Sequence, residues 1–469
     1  MIIETLSDAI IYGSLNDVAA FINAGAPLNE IDDYGYSPLV QTAIMNDIEK
    51  AKLVIDAGAD INFADLTGRT ALHWAADNNN DDFCKLLLDH GANPNAYTTA
   101  GQPILTIPVL RDFKKIKTLL RKKGASLTFA QDFINAKLLG HRFQLKGQVD
   151  ITDPMGTFIE IDYEGFYLEF TLALILNSLI NFRNNYAARN LRHHFEDLQK
   201  IIISFTIASE LIQYQHYNID VHQHEKRIDK LLNYNLSLIP VAYMGHAITF
   251  IKYGPLFARV DRGEYGKKHG SVIIYEITKQ PHFSKELIKE LLYKRQSDEM
   301  VTEGVKEYLG LRQLTLLPIS LQISGNCSWA NVEAAVPTMI FLLALFKNKT
   351  NNDAEVNHAK NIAMSFYQEW LEWDKRIALN NCIDGFNKLS KERQASKVAI
   401  LNAILFQSCN PNNPKDREKI IKILPYVTNP EFSYVLKSYV QTYYQESGLP
   451  IGKKFINILD DFGVDVGHL

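Results

Sequence analysis

Residues 67–95 read TGRTALHWAADNNNDDFCKLLLDHGANPN, and the fold of the N-terminal region turns on them. Thr70 can cap a first helix and Gly91 can take the left-handed conformation that ends a second. The unit recurs. AGAPLN (24–29), AGADIN (57–62), HGANPN (90–95) and KGASLT (123–128) set Gly25, Gly58, Gly91 and Gly124 at intervals of 33, and Gly35, Gly68 and Gly101 keep the same interval. Helix starts follow at SPLV (37–40), TALH (70–73) and PILT (103–106). A fixed period of this length means stacked units, each burying its apolar face against its neighbours. The first and fourth units are degenerate, as ends with one neighbour are.

The period and the TALH helix start resemble the ankyrin repeat. That resemblance implies protein binding through hairpin tips and the concave helix face, with Asp33, Tyr34, Leu66, Thr67, Thr98 and Thr99 as the partner-binding candidates. It also makes Asn95, with Leu87 eight positions before it, similar to the ankyrin asparagine that host hydroxylases modify, although asparagine is also a structural turn residue. Residues 111–123, RDFKKIKTLLRKK, hold seven basic side chains against one acidic. They read either as a solvated lysine face or as an anion-binding patch through which nucleic acid is reached.

With 469 residues the chain predicts two or three domains, and 46% apolar with 22% charged residues predicts a globular one. A net charge of -4 excludes nucleic-acid binding through overall charge. Cys84, Cys327, Cys382 and Cys409 are scattered and form no CxxC pair, which predicts reduced thiols in a reducing cytosol, with no disulfide framework, no metal site and no cofactor. HQHE (222–225) lacks a distant third ligand and reads as a solvated loop. The N-terminus lacks the charged and apolar regions of a secretory signal. The apolar runs at 166–182 and 336–346 fall short of a membrane span and read as buried helices.

Three domains are expected: the repeat array over 1–135, an α+β domain over 136–349 and a helical region over 350–469. Alternation in TFIEIDYEGFYLEF (157–170) predicts strands, and helical periods follow at 170–182 and 189–213. Four β-branched or aromatic runs over 236–278 predict an antiparallel meander, with a hairpin at YGP (253–255). Pairing outward from that turn sets His246 opposite or diagonal to Asp261.

In SGNCSWANVEAAVP (324–337), Cys327 precedes an apolar helical run, so its thiol is expected at a helix N-terminus, where the dipole favours thiolate. Catalytic thiol chemistry also needs a base, a group that orients it and oxyanion donors. His246 is the candidate base and Asp261 its carboxylate, with Glu264 as the stand-in if the register slips. Gln322 is the candidate oxyanion donor beside the Cys327 backbone N–H. The alternative is an inert buried thiol, which is the expectation for Cys382 and Cys409.

GNCSWAN resembles the surroundings of papain-type cysteines, but the order His, Asp, Gln, Cys is similar to the clan of the adenovirus protease, the ubiquitin-like proteases and the YopJ-type effectors. The whole arrangement resembles the ankyrin-repeat effectors of Legionella. It implies an ankyrin solenoid followed by an α+β cysteine-protease-like domain with an antiparallel sheet and a C-terminal helical region. It implies, too, export by a type IV system into the host cytosol or nucleus, with the acidic end at Asp460, Asp461 and Asp465 compatible with the export signal. Two departures stand out: the Gln322 to Cys327 gap is one residue shorter than in most of the clan, and a helical insert at 284–308 is placed to cover the cleft. Two functions follow: a thiol enzyme whose ankyrin array selects a host protein, peptidase or isopeptidase-like with deamidation, transglutamination and acyl transfer open to the same nucleophile, and a non-catalytic ankyrin adaptor of a host complex.

Overall fold

A computed structural model describes residues 3–165, 167–215, 221–243, 245–323, 325–347 and 352–465. Ser324, three positions before Cys327, and the last four residues of the acidic terminus lie outside them. The chain forms two compact units. The first holds Met1–Leu138, Gly147–Tyr163 and Gly385–Leu469; the second holds Leu139–Lys146 and Glu164–Asp384. This grouping departs from the boundaries expected at 135 and 349. Helix Asp353–Ile383 packs along helix Cys327–Lys347 and so belongs with the α+β unit, whereas the residues after 384 join the repeats. Apolar contact, not chain order, decides the division.

In the first unit, helix pairs follow the 33-residue period: Leu6–Tyr12 with Leu15–Asn23, Pro38–Met45 with Ile48–Asp56, Ala71–Asp77 with Asp81–Asp89, and Thr106–Leu110 with Lys114–Lys122. Gly58 and Gly91, each closing a second helix, have φ of 94° and 88°. Neighbouring repeats are stitched at two levels. The backbone N–H of Asp60, Asn93 and Ser126 donates to the side-chain oxygen of Asn29, Asn62 and Asn95 in turn, at 2.8, 2.7 and 2.8 Å. At the tips, Leu66 N donates to Gly35 O (3.1 Å) and Thr99 N to Thr67 O (3.0 Å).

Strands β1 (Gln148–Thr152) and β2 (Phe158–Asp162) pair as an antiparallel hairpin in the same unit. A Cβ at Gly101 of the third tip would lie 2.4 Å from Ile161 Cγ2, so the hairpin is seated directly on that tip. Helix Lys391–Ser408 packs on β1, and Arg393 holds Asp132 of helix Leu127–Phe143 through two hydrogen bonds of 2.6 and 2.9 Å.

The second unit is built on a five-stranded antiparallel sheet in sequential order: β3 (Ser237–Tyr243), β4 (His246–Tyr253), β5 (Leu256–Val260), β6 (Val272–Ile277) and β7 (Leu311–Leu316). The meander and the hairpin at Tyr253–Leu256 are as the alternation predicts. Alternate residues Ile248, Phe250 and Phe257 join a core with Leu211, Leu287 and Ile288. Helix Cys327–Lys347 packs on β4 and β5. It begins nine residues before the apolar run marked in the sequence and is, by length and composition, capable of crossing a bilayer, but its apolar stretch is 89% buried within the protein.

Candidate active site

The second unit brings four separated segments to one cavity of about 560 Å³. β4 opens with His246; β5 runs out into Asp261, Arg262 and Gly263; the loop after β7 supplies Leu321, Gln322 and Ile323; helix Cys327–Lys347 begins at its wall. Asp298, Thr302 and Glu303 line it as well, so the insert expected at 284–308 does face the cleft.

The helix start is local chemistry. Ala330 N donates to Asn326 O at 2.9 Å, which makes Cys327 the first helical residue and sets its thiol at the positive end of a 21-residue helix. Cys327 is half-buried, whereas Cys84, Cys382 and Cys409 are buried. Burial pushes the Cys84 thiol upward, so it stays protonated.

Register places the other groups. Thr249 pairs with Val260 across β4 and β5, so continuing the pairing sets His246 diagonal to Asp261 on one face. Asp261 is 5% exposed, and its oxygens are already engaged: Oδ2 accepts from Arg259 Nη2 (3.0 Å) and Oδ1 from Gly263 N (3.0 Å). His246 is exposed and leans on the Tyr243 ring at 6.0 Å between centroids. Among the described residues no hydrogen bond joins Cys327, His246 and Asp261. Glu264, the alternative carboxylate, is exposed and bound to Lys267 at 2.8 Å, which holds it below the usual carboxylate range.

Gln322 is anchored by its own N–H on Arg262 O (2.9 Å). A Cβ added at Gly263 would meet Asp261 Oδ1 at 3.3 Å and Gln322 Nε2 at 3.8 Å, so the carboxamide lies beside Asp261. Its Oε1 is enclosed and has no hydrogen-bond partner among the described residues. Burial raises the Tyr243 hydroxyl, with the charges of Asp261, Asp298 and Cys327 adding to the shift and Arg259 opposing it.

Sequence reading missed the frame that holds these groups. Asn331, one turn after Cys327, donates to Ala247 O (2.6 Å) and accepts from Arg262 N (2.8 Å), tying the cysteine helix to the residues beside His246 and Asp261. Arg262 is 1% exposed and binds Ser320 O (2.7 Å) and Glu333 (3.2 Å), while Tyr367 donates to the same Glu333 oxygen (3.0 Å). Arg259 stacks on Tyr265, with its guanidinium 3.7 Å from the ring centroid, and donates to Val301 O (2.6 Å) in the π-helix Met300–Gly304 of the insert. One signal was available: in ARVDR (258–262), strand period puts Arg259 and Asp261 on one face and Arg262 on the other.

An ankyrin-repeat family model matches three copies over residues 6–128. No curated protein matches the chain. Among solved structures, that of the Legionella effector AnkH is 44% identical, covers 99% of this chain and 98% of its own, and superposes with a TM-score of 0.83. The chain belongs to the AnkH family.

The likeness to AnkH covers the residues of both units. On the repeats of this AnkH-family chain the expected tip residues divide. Tyr34 and Leu66 are 79% and 72% exposed, and Asp33, Thr67 and Thr99 are exposed too. Thr98 is buried, and its hydroxyl accepts from Gln102 N (3.2 Å) because it closes the turn. Asn95 is engaged on both sides, its Nδ2 donating to Gly124 O at 2.9 Å. Much of the basic run at 111–123 is neutralised locally. Lys115 pairs with Asp81, Lys117 with Asp112 and Lys123 with Asp89, which favours the solvated face over an anion patch. In the histidine-rich stretch, His222 and His224 are exposed, and the His224 ring packs on Tyr214.

Proposed function

We propose that this AnkH-family protein is an effector delivered into a host cell, where its ankyrin tips hold a host protein and Cys327 acts on it as a nucleophile. The observation carrying the thiol reading is that one cavity is lined by Cys327, His246, Asp261 and Gln322 together. In the proposed reaction Cys327 Sγ attacks the carbonyl carbon of a peptide or isopeptide bond, with His246 taking the thiol proton and returning it to the leaving amine as the C–N bond breaks. Water then hydrolyses the thioester. Asp261 orients the imidazole, and Gln322 with the Cys327 N–H stabilises the oxyanion. Catalytic hydrogen bonds in unliganded sites are often long and tighten when substrate arrives, so their present looseness is compatible with this reading.

A non-catalytic adaptor is the second reading. It is favoured by Arg259 and Gly263 occupying the Asp261 carboxylate. Iodoacetamide alkylation of Cys327 between pH 4 and 9, in wild type and His246→Ala, separates the two. A rate that stays high below pH 7 and collapses in the variant supports the nucleophile. A slow, histidine-independent rate rising only near the unperturbed thiol pKa of about 8.5 removes it and leaves the adaptor.

A further inference from the structure

The β1–β2 hairpin extends the row of ankyrin tips. Backbone hydrogen bonds join the first tip to the second at Gly35 and Leu66 and the second to the third at Thr67 and Thr99, and the Ile161 side chain of β2 packs against the third tip at Gly101. The hairpin therefore stands where the tip of a fourth repeat would stand. Its turn exposes Met155 at 87% and β2 opens with Phe158 at 49%, as Tyr34 and Leu66 are exposed on the first two tips. Large apolar side chains exposed in this way serve no core.

The exposed charges on the first tip and on strands β1 and β2 are acidic, with Lys146 exposed just before β1. Glu30 and Asp33 flank the first tip, and Asp150, Glu160 and Asp162 stand exposed on the hairpin. None of the five has a basic partner among the described residues. Asp150 is directly opposite Glu160, a cross-strand like-charge pair that weakens a sheet. The one arginine beside the tips, Arg69, is committed to Asp77 and to the Trp74 ring. A self-repelling acidic pair beside exposed apolar residues is unfavourable for the free protein and complementary to a cationic partner.

We infer that the β1–β2 hairpin is a fourth finger of the partner-binding row, and that Met155, Phe158, Asp150, Glu160 and Asp162 receive a lysine- or arginine-rich polypeptide segment carrying apolar anchors. The inference rests on the reading that the tips dock a partner. Nucleic acid and anionic membranes are repelled by the same charges.

The test uses the full chain and a fluorescein-labelled peptide alternating lysine with leucine, titrated by anisotropy at low and at physiological salt. A peptide alternating glutamate with leucine, and anionic vesicles, serve as controls. Saturable, salt-sensitive binding of the lysine peptide is expected, weakened about ten-fold by Glu160→Lys and several-fold by Phe158→Ala and Leu66→Ala. The thermal midpoint of Glu160→Lys should hold or rise, because a like-charge pair becomes an attractive one, and this separates lost binding from lost folding. Unchanged affinity in Glu160→Lys and Phe158→Ala with a loss in Leu66→Ala overturns the fourth finger and leaves the ankyrin tips standing. No saturable binding, no effect of any variant, or a preference for the glutamate peptide or vesicles overturns both.

Discussion

A single histidine writes a pH dependence into the repeats. His73 is fully buried, its Nδ1 accepts from Thr70 N at 3.1 Å, and desolvation, with Arg69 adding to it, pulls its pKa from 6.5 down to about 3. The depressed value means that between pH 6.5 and 3 the unfolded chain binds the proton and the folded chain does not. Stability is then complete above 6.5 and falls with acidification, by up to about 1.4 kcal/mol per pH unit from this group. Urea midpoints at pH 7 and pH 5 should differ more in wild type than in His73→Gln. Buried charge makes a second prediction. Glu333→Ala strands Arg262 without its carboxylate and should cost about 3–5 kcal/mol in a denaturant melt. Tyr367, whose hydroxyl burial and Glu333 push upward, then loses its acceptor.

Elements are positioned here by a few close approaches. A Cβ at Gly68 would sit 2.5 Å from Thr99 N, on a backbone with φ of 78°, whereas a Cβ at Gly58 meets nothing within 4 Å. Gly58→Ala should cost about 1–2 kcal/mol for the left-handed backbone alone. Gly68→Ala should cost clearly more, since two tips must separate, and paired chemical melts read the difference. Asn331→Ala removes the side chain joining Ala247 O to Arg262 N and leaves a buried N–H and C=O unpaired, for about 1–3 kcal/mol. Because Asn331 aligns β4 and the end of β5 with the cysteine helix, Cys327 alkylation should change with stability in that variant. Most elements were legible from periodicity, including the four meander strands and the helix starts of the repeats. The fifth strand, β7, was not: it is a half-exposed edge strand without a clean buried alternation, and its bulged pairing with β6 comes only from the sheet.

At the scale of the molecule, the C-terminal helices complete the repeat unit. They cover β1 and hold Asp132 through Arg393, so a chain ending at residue 384 should lose hydrogen-exchange protection in Val149 and Ile151 and in helix Leu127–Phe143. The sequence by itself determined the array, because its 33-residue period is local and each unit needs only its neighbours. It also determined the helix start at Cys327 and the hairpin that aligns His246 with Asp261, because turn chemistry and the two-residue strand period are short-range. Only the tertiary structure decided that residues far apart in the chain share a unit, that Arg259 holds the Asp261 carboxylate and that Asn331 fixes the cysteine helix to two strands. These depend on which buried polar groups find partners once distant segments meet, and no local pattern encodes that choice.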